Sequence, residues 1–125
     1  MRIASLDHLV LTVADIGTTV AFYERLGMRA ETFGEGRIAL RFGSQKINLH
    51  QVGAEFQPHA VRPVAGSGDL CFLVDGSLDD VEAALADAGV AIELGPVGRA
   101  GAVGPIESLY VRDPDGNLIE LSRPL

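Results

Sequence analysis

The stretch Arg112–Leu121, RDPDGNLIEL, decides how this 125-residue chain folds. Its first half, Asp113–Gly116, has the composition of a type I turn, because proline pre-sets the backbone at the second position and glycine takes the last. The second half, from Asn117, is an apolar strand interrupted by one carboxylate, Glu120. A carboxylate on a buried strand face is costly unless something positive neutralises it. Glu120 is therefore a candidate site residue.

The sequence on the N-terminal side of this stretch predicts one helix and several strands. Asp69–Val74, DLCFLV, has the apolar and β-branched composition of a strand. Ser77, with Asp80 three residues later, forms a capping box at the start of a helix. The remaining segments are a strand over Val90–Glu93, a glycine-rich loop over Pro96–Pro105, and strands over Ser108–Arg112 and Asn117–Ser122.

The first half of the chain shows the same order of elements. Leu6–Val13, LDHLVLTV, predicts a strand that carries His8. Asp15 has the side chain of a helix N-cap, and Gly27 is suited to end that helix. Three short strands are predicted after it, over Met28–Phe33, Arg37–Phe42 and Lys46–Gln51.

Strand, helix and three strands therefore occur twice, which predicts an α+β fold of two tandem βαβββ modules. We expect a curved, cup-shaped mixed sheet with both helices on its outer face, because each amphipathic helix needs a sheet face to cover. Module one spans about residues 5–52, a linker about 53–67 and module two about 68–123, all within a single domain of residues 1–125. The uncovered inner face is a natural place for a ligand.

Composition excludes several classes of function. The formal net charge of −7 opposes non-specific binding to nucleic acid and docking on an anionic membrane. No apolar run approaches the roughly 18 residues of a membrane span, and no signal peptide is recognisable. The single cysteine, Cys71, rules out an intrachain disulfide. We expect a cytoplasmic protein.

The two motifs LDHLVLTV and RDPDGNLIEL together resemble the vicinal oxygen chelate superfamily, which comprises glyoxalases, bleomycin resistance proteins and dioxygenases. Modules of this family typically close with a D-P-D-G-N-x-I-E pattern whose last glutamate binds a metal, and a metal-binding histidine stands early in the first strand. The arrangement covers nearly the whole chain. Within the superfamily, Ile47–His50 and Gly104–Ile106 resemble segments of glyoxalase-domain proteins of unassigned activity.

The resemblance implies a divalent metal ion, Zn, Ni, Mn or Fe, held at the first and last strand of each module. His8 and Glu120 match the family positions directly. Asp69 stands where the second module usually offers histidine, and a carboxylate there favours harder ions such as Mn²⁺. Asn48 occupies, in the last strand of module one, the position that Glu120 occupies in module two. His50 shares a strand face with Asn48, so either is able to face the site. The predicted ligands are His8, His50, Glu120 and Asp69.

The activity implied by the resemblance is that of a metal-dependent, glyoxalase-like lyase or isomerase. Dioxygenase activity ranks second. The ion would chelate two neighbouring oxygens of a small substrate and stabilise the enolate or oxyanion that develops. Glu120 or Asp69 would move a proton. Asn48, Arg99 and Tyr110 are the candidate substrate-binding residues, although Arg99 and Tyr110 also suit an exposed surface.

Two other functions stay open. The second-ranked function is that of the bleomycin-resistance relatives, which bind a drug or metabolite without turnover, and the irregular Asp69 and Asn48 positions keep that alternative open. Transfer of a thiol or water to an epoxide, as in fosfomycin-resistance relatives, lacks a recognisable phosphonate-gripping pattern here. The resemblance also implies a homodimer, whose site forms either within one chain or between two.

Overall fold

The structure, a computed structural model, describes all residues from Met1 to Leu125. It divides into two compact units, Met1–Gly66 and Ser67–Leu125. Each unit contains one helix and one four-stranded mixed sheet, in the order strand, helix, strand, strand, strand. The predicted α+β fold with two βαβββ repeats is confirmed.

Unit one is a sheet of four strands and a single helix. Its elements are β1 (His8–Val13), α1 (Ile16–Arg25), β2 (Arg29–Phe33), β3 (Arg37–Phe42) and β4 (Gln45–Gln51). The strand order is β1-β4-β3-β2, with β1 parallel to β4 and the other neighbours antiparallel. The first and last strands of the unit therefore lie side by side.

Unit two repeats this arrangement. Its elements are β5 (Asp69–Leu73), α2 (Leu78–Asp87), β6 (Leu94–Ala100), β7 (Pro105–Arg112) and β8 (Leu118–Pro124). The strand order is β5-β8-β7-β6, and β5 runs parallel to β8. Here too the first strand of the unit pairs with the last.

Both helices begin at the predicted caps. The Asp15 carboxylate accepts a hydrogen bond from the Thr18 backbone N–H at 2.8 Å, and the Ser77 hydroxyl accepts one from the Asp80 N–H at 3.1 Å. These bonds satisfy backbone donors that have no partner within the helix. Each helix has ten residues, and neither is long and apolar enough to cross a membrane.

The turn before β8 fixes how the strands of unit two pair. The Asp113 carboxylate accepts hydrogen bonds from the backbone N–H groups of Asp115 and Asn117. The buried Asn117 amide donates to Asp113 at 2.7 Å and accepts from the Gly68 N–H at 2.6 Å. Because Gly68 immediately precedes β5, this amide sets the register of β5 against β8 and places Cys71 beside Glu120.

The prediction of a strand over Val90–Glu93 is wrong. The prediction of a loop over Pro96–Pro105 is also wrong for its first half. The structure places β6 at Leu94–Ala100 instead. Glycine and proline are depleted in strands because they pack poorly or lack a donor, so the composition of LGPVGRA favours a loop. Hydrogen-bonded pairing with β7 overrides that preference.

Gly95 shows why this strand is rich in glycine. Its φ of +115° is one that residues with a side chain rarely adopt, and a Cβ added there would lie 2.4 Å from the Ser108 carbonyl oxygen. The ladder between β6 and β7 is irregular between Leu94 and Val97. Glycine is therefore required where the backbone of β6 approaches β7 most closely.

Alternation along the strands gives each sheet a core face and a second face. In β1 the buried Leu11 and Val13 alternate with His8, Val10 and Thr12. We call the second face the polar face of each unit. In unit one it carries His8, Val10, Thr12, Lys46, Asn48, His50, Arg37, Ala39 and Arg41. In unit two it carries Asp69, Cys71, Glu120, Ser122, Ser108, Tyr110 and Arg99.

The close approach at Gly95 gives a stability prediction. Gly95→Ala is expected to lower the free energy of unfolding by about 3 kcal/mol, because the new methyl group meets backbone and the residue has a positive φ. Gly98→Ala in the same strand is the matched control, since a Cβ there meets nothing within 4 Å. Urea denaturation measures both variants. Equal stability of the two would contradict this account of β6.

Candidate functional site

The polar face of unit one is organised by the parallel pairing of β1 with β4. His8 lies beside Lys46, Val10 beside Asn48, and Thr12 beside His50. The predicted site residues of this unit therefore project from the same side of two adjacent strands.

His8 is held by its neighbour in the sequence. Its Nδ1 atom lies 2.8 Å from Oδ2 of Asp7, and 41% of its side chain is exposed. This hydrogen bond is the main cause that lowers the pKa of the Asp7 carboxyl. A carboxylate bonded to one ring nitrogen fixes the tautomer, so that Nε2 presents a lone pair, and this is how metal-binding histidines are commonly oriented.

Asn48 and His50 are buried on β4 and incompletely hydrogen-bonded. Their exposed fractions are 4% and 3%. The Asn48 Oδ1 atom and the His50 Nδ1 atom are both inaccessible and have no hydrogen-bond partner. A buried polar atom without a partner costs roughly 1–3 kcal/mol, so these two atoms are the clearest unsatisfied positions of the unit.

Arg37 is the hydrogen-bond partner of the His50 ring. Its guanidinium lies 5.0 Å from the centre of the Phe33 ring and 4.9 Å from that of Phe56. From there its Nη2 donates a long hydrogen bond, 3.4 Å, to His50 Nε2. Burial is the main cause that lowers the pKa of His50, and the positive charge of Arg37 lowers it further. Because arginine only donates, the neutral His50 ring carries its proton on Nδ1.

A pocket of about 480 Å³ opens next to His50. Its walls are mostly apolar and come from β1, β4 and the segment after β4: Val10, Thr12, His50, Pro58, His59, Ala60 and Pro63. Sequence patterns did not identify this wall, because residues 53–66 lack the periodicity that shows which side chains face inward.

The polar face of unit two centres on Glu120. Its Oε2 atom accepts hydrogen bonds from the Ser108 hydroxyl at 2.5 Å and from the Ser122 hydroxyl at 3.3 Å. Both serines are fully buried. Both hydroxyls bind the same carboxylate oxygen, and neither bonds the other oxygen, Oε1.

Cys71 borders this network without the character of a nucleophile. Its thiol lies 3.3 Å from the Ser122 hydroxyl. Desolvation is the main cause that raises the pKa of Cys71, and the charge of Glu120 adds to it. The thiol therefore stays protonated at neutral pH.

The other predicted residues of unit two surround Glu120 at different distances along the sheet. Tyr110 is its direct partner in register on β7, and the Arg99 Nε atom donates to the Tyr110 hydroxyl at 2.9 Å. Asp69 is exposed at the start of β5, beside Leu118, two residues from the level of Glu120. Arg99, Tyr110 and Glu120 are thus grouped, and Asp69 lies at the edge of the group.

His8 and His50 are not brought together within unit one. Thr12 is the partner of His50 in the register, so four residues of strand, about 13 Å at a rise of 3.3 Å each, separate the two histidines. In neither unit do three or more His, Cys, Asp or Glu side chains form a group that could hold a metal ion.

Known proteins are similar to this chain over nearly its whole length. The family model described as Glyoxalase/Bleomycin resistance protein/Dioxygenase superfamily matches residues 5–121. The glyoxalase domain-containing protein RDO1 of Mycosarcoma maydis is 57% identical over 122 residues, which cover 98% of this chain and 69% of RDO1. The crystal structure of virulence protein STM3117 from Salmonella typhimurium superposes with a TM-score of 0.98 at 56% identity, covering 100% of both chains.

More distant structures share the fold alone. A lactoylglutathione lyase from Agrobacterium tumefaciens has a TM-score of 0.73 at 20% identity and covers 98% of this chain and 96% of its own. TnmS3, an antibiotic binding protein from Streptomyces, has a TM-score of 0.76 at 23% identity and covers 100% of this chain and 99% of its own.

The contact between Arg37 and His50 gives a prediction about pH. Arg37→Ala is expected to raise the pKa of His50 towards the ordinary value of 6.5, because it removes a neighbouring positive charge and uncovers the ring. NMR titration of the histidine side chains measures it, with Arg29→Ala as the control.

The same shift links pH to stability. Below pH 6.5, the unfolded chain takes up a proton at His50 more readily than the folded protein, so the free energy of unfolding falls as the solution is acidified. Arg37→Ala should reduce that dependence. An unchanged or lower pKa of His50 in Arg37→Ala would contradict the assigned contact.

Proposed function

Because the chain belongs to the Glyoxalase/Bleomycin resistance protein/Dioxygenase superfamily, we propose that it is a metal-dependent enzyme that acts on a small molecule as a glyoxalase-like lyase or isomerase. One observation supports this most: each unit presents an oriented atom suited to a metal. In unit one it is His8 Nε2, oriented by Asp7. In unit two it is Glu120 Oε1, which neither serine bonds.

These donors fit a divalent transition ion. Neutral imidazole and carboxylate are common ligands of Zn, Ni, Mn and Fe. We assign His8 and Glu120 as the principal ligands and Asp69, exposed on the polar face of unit two, as the further one. His50 suits this role less, because the Arg37 cation lies against its ring. The ion, when bound, supplies a Lewis acid for two neighbouring oxygens of the substrate.

The remaining groups act on the substrate itself. We assign proton transfer at the carbon beside those oxygens to the Asp69 carboxylate, since Glu120 is already engaged by Ser108 and Ser122. Arg99 and Tyr110 are bonded to each other, and Tyr110 is paired with Glu120 in the sheet. We assign this pair to binding a polar or anionic group of the substrate.

A second candidate is a protein that binds a small molecule without turnover. It is supported by the lack, in either unit, of three grouped metal-binding side chains. TnmS3, which has the same fold, is described as antibiotic binding.

We also propose that the protein is a cytoplasmic homodimer. Apolar side chains at the edge strands β1 and β5 support association with another chain, because Val10 and Leu73 are 43% and 62% exposed. Light scattering coupled to size-exclusion chromatography measures the mass in solution.

Metal content tests the proposed function. We expect the purified protein to retain close to one equivalent of a divalent ion after dialysis, and His8→Ala and Glu120→Ala each to lose most of it, because each removes a ligand. Inductively coupled plasma mass spectrometry measures the content.

Two matched variants control for the loss of a histidine or a carboxylate. His59→Ala removes a histidine bonded only within its own segment, and Glu107→Gln removes a carboxylate that faces Arg123. Both should keep the ion. A folded, metal-free wild-type protein, or equal loss in the controls, would favour the non-catalytic binder.

Ser108 is predicted to act as a positioning residue for Glu120. Ser108→Ala removes the shorter hydrogen bond to Oε2 and should weaken metal affinity about 10- to 100-fold, as loss of a supporting hydrogen bond does in other sites. Competition with a chromogenic chelator measures the affinity, and circular dichroism checks the fold. Unchanged affinity in a folded Ser108→Ala would show that the carboxylate needs no such support.

A further inference from the structure

The segment that follows β4, residues 53–66, forms one side of the pocket next to His50. We call it the flap. We propose that Arg37 is a positioning residue that holds the flap against the polar face of unit one, and that release of this contact opens the pocket. The inference concerns access to the pocket, so it depends neither on a metal nor on the reaction proposed above.

Hydrogen bonds attach the flap to the strands only near its start. The Ala54 N–H donates to the Gln51 carbonyl at the end of β4, at 2.9 Å. Beyond that bond, the hydrogen bonds made by residues 55–63 stay within the flap itself. Whether this part of the flap rests on the sheet therefore depends on side-chain packing.

Phe56 is the flap residue that makes this packing contact. Its ring centre lies 4.9 Å from the Arg37 guanidinium carbon, which is also 5.0 Å from the centre of the Phe33 ring on β2. A cation this close to an aromatic ring is attracted by the negative face of the ring. Phe56 also meets the His50 ring edge to face, with 5.7 Å between the ring centres. Arg37 thus contacts an aromatic side chain of the sheet and one of the flap.

The charge of Arg37 is committed to these rings rather than to a carboxylate. The ion pairs of the chain involve other residues, and the polar contact of Arg37 is the 3.4 Å bond to His50. A guanidinium is planar and weakly hydrated, so it is able to stack on rings and donate a hydrogen bond at the same time. These properties suit Arg37 to hold the flap in one position.

The pocket depends on the flap for most of its wall. Strands β1 and β4 supply Val10, Thr12 and His50, and the flap supplies four of the seven lining residues: Pro58, His59, Ala60 and Pro63. Phe56 precedes the first of these by two residues, so its release would carry them away from the strands. The half-buried Thr12 would then be uncovered.

Limited proteolysis of the full-length protein tests the contact at Phe56. A glutamate-specific protease cuts after Glu55, at the bond to Phe56, and this bond becomes accessible when the ring leaves the sheet. Arg37→Met keeps a long side chain but removes the cation, and cleavage after Glu55 should become about tenfold faster. Arg62→Met, which removes an exposed arginine of the flap itself, is the matched control and should change nothing.

Cleavage after Glu24, within α1, separates release of the flap from general unfolding. Faster cleavage after Glu55 alone is the result that the proposal predicts for Arg37→Met. Equal acceleration at both sites would mean that Arg37 stabilises the whole unit and would overturn the proposal, as would an unchanged rate after Glu55.

Chemical labelling tests whether the flap controls access to the pocket. In a Cys71→Ser background, Thr12→Cys should react with N-ethylmaleimide about fivefold faster when Arg37→Met is added, whereas Gln45→Cys at the exposed start of β4 should react equally fast with and without it. Phe56→Leu should accelerate labelling as Arg37→Met does, and the double variant should be no faster, because both remove one contact. Additive effects, or unchanged labelling of Thr12→Cys, would overturn the proposal.

Discussion

The pairing of the first strand with the last, in parallel, is the constraint on which each unit depends. In unit two the pairing is set by one buried amide, Asn117, which bonds the turn at Asp113 and the backbone of Gly68. Displacing that amide would shift β5 against β8, and a shift of one residue turns every side chain to the other face. The D-P-D-G-N segment thus fixes the register of β5 against β8, and this register determines the position of Glu120.

Side chains alternate between the two faces of these paired strands, so that one face stabilises the fold and the other carries the candidate site residues. One face of each sheet supplies buried apolar residues such as Leu49 and Ile119. The other face carries groups whose hydrogen-bonding capacity is only partly used, namely Asn48, His50 and Glu120. Natural proteins keep such partly satisfied groups mainly at functional sites, and here these groups lie on the polar faces.

Local chemistry made much of the fold predictable. The caps at Asp15 and Ser77 and the turn at Asp113 depend on side chains only a few residues away, and all three were confirmed. Strand β6 was mispredicted, because its glycines fit a backbone contact with Ser108 that lies far away in sequence. The state of His50 depends likewise on Arg37, thirteen residues away on a neighbouring strand. Sequence patterns place His50 on a face but do not reveal that partner.

The central claim is that His8 and Glu120 are metal ligands. Anomalous X-ray diffraction from crystals grown with Zn²⁺ or Mn²⁺, collected at the absorption edge of the metal, tests it most directly. The account predicts strong anomalous density at His8 Nε2 and at Glu120. A peak held by other residues, or none at saturating metal, would contradict it.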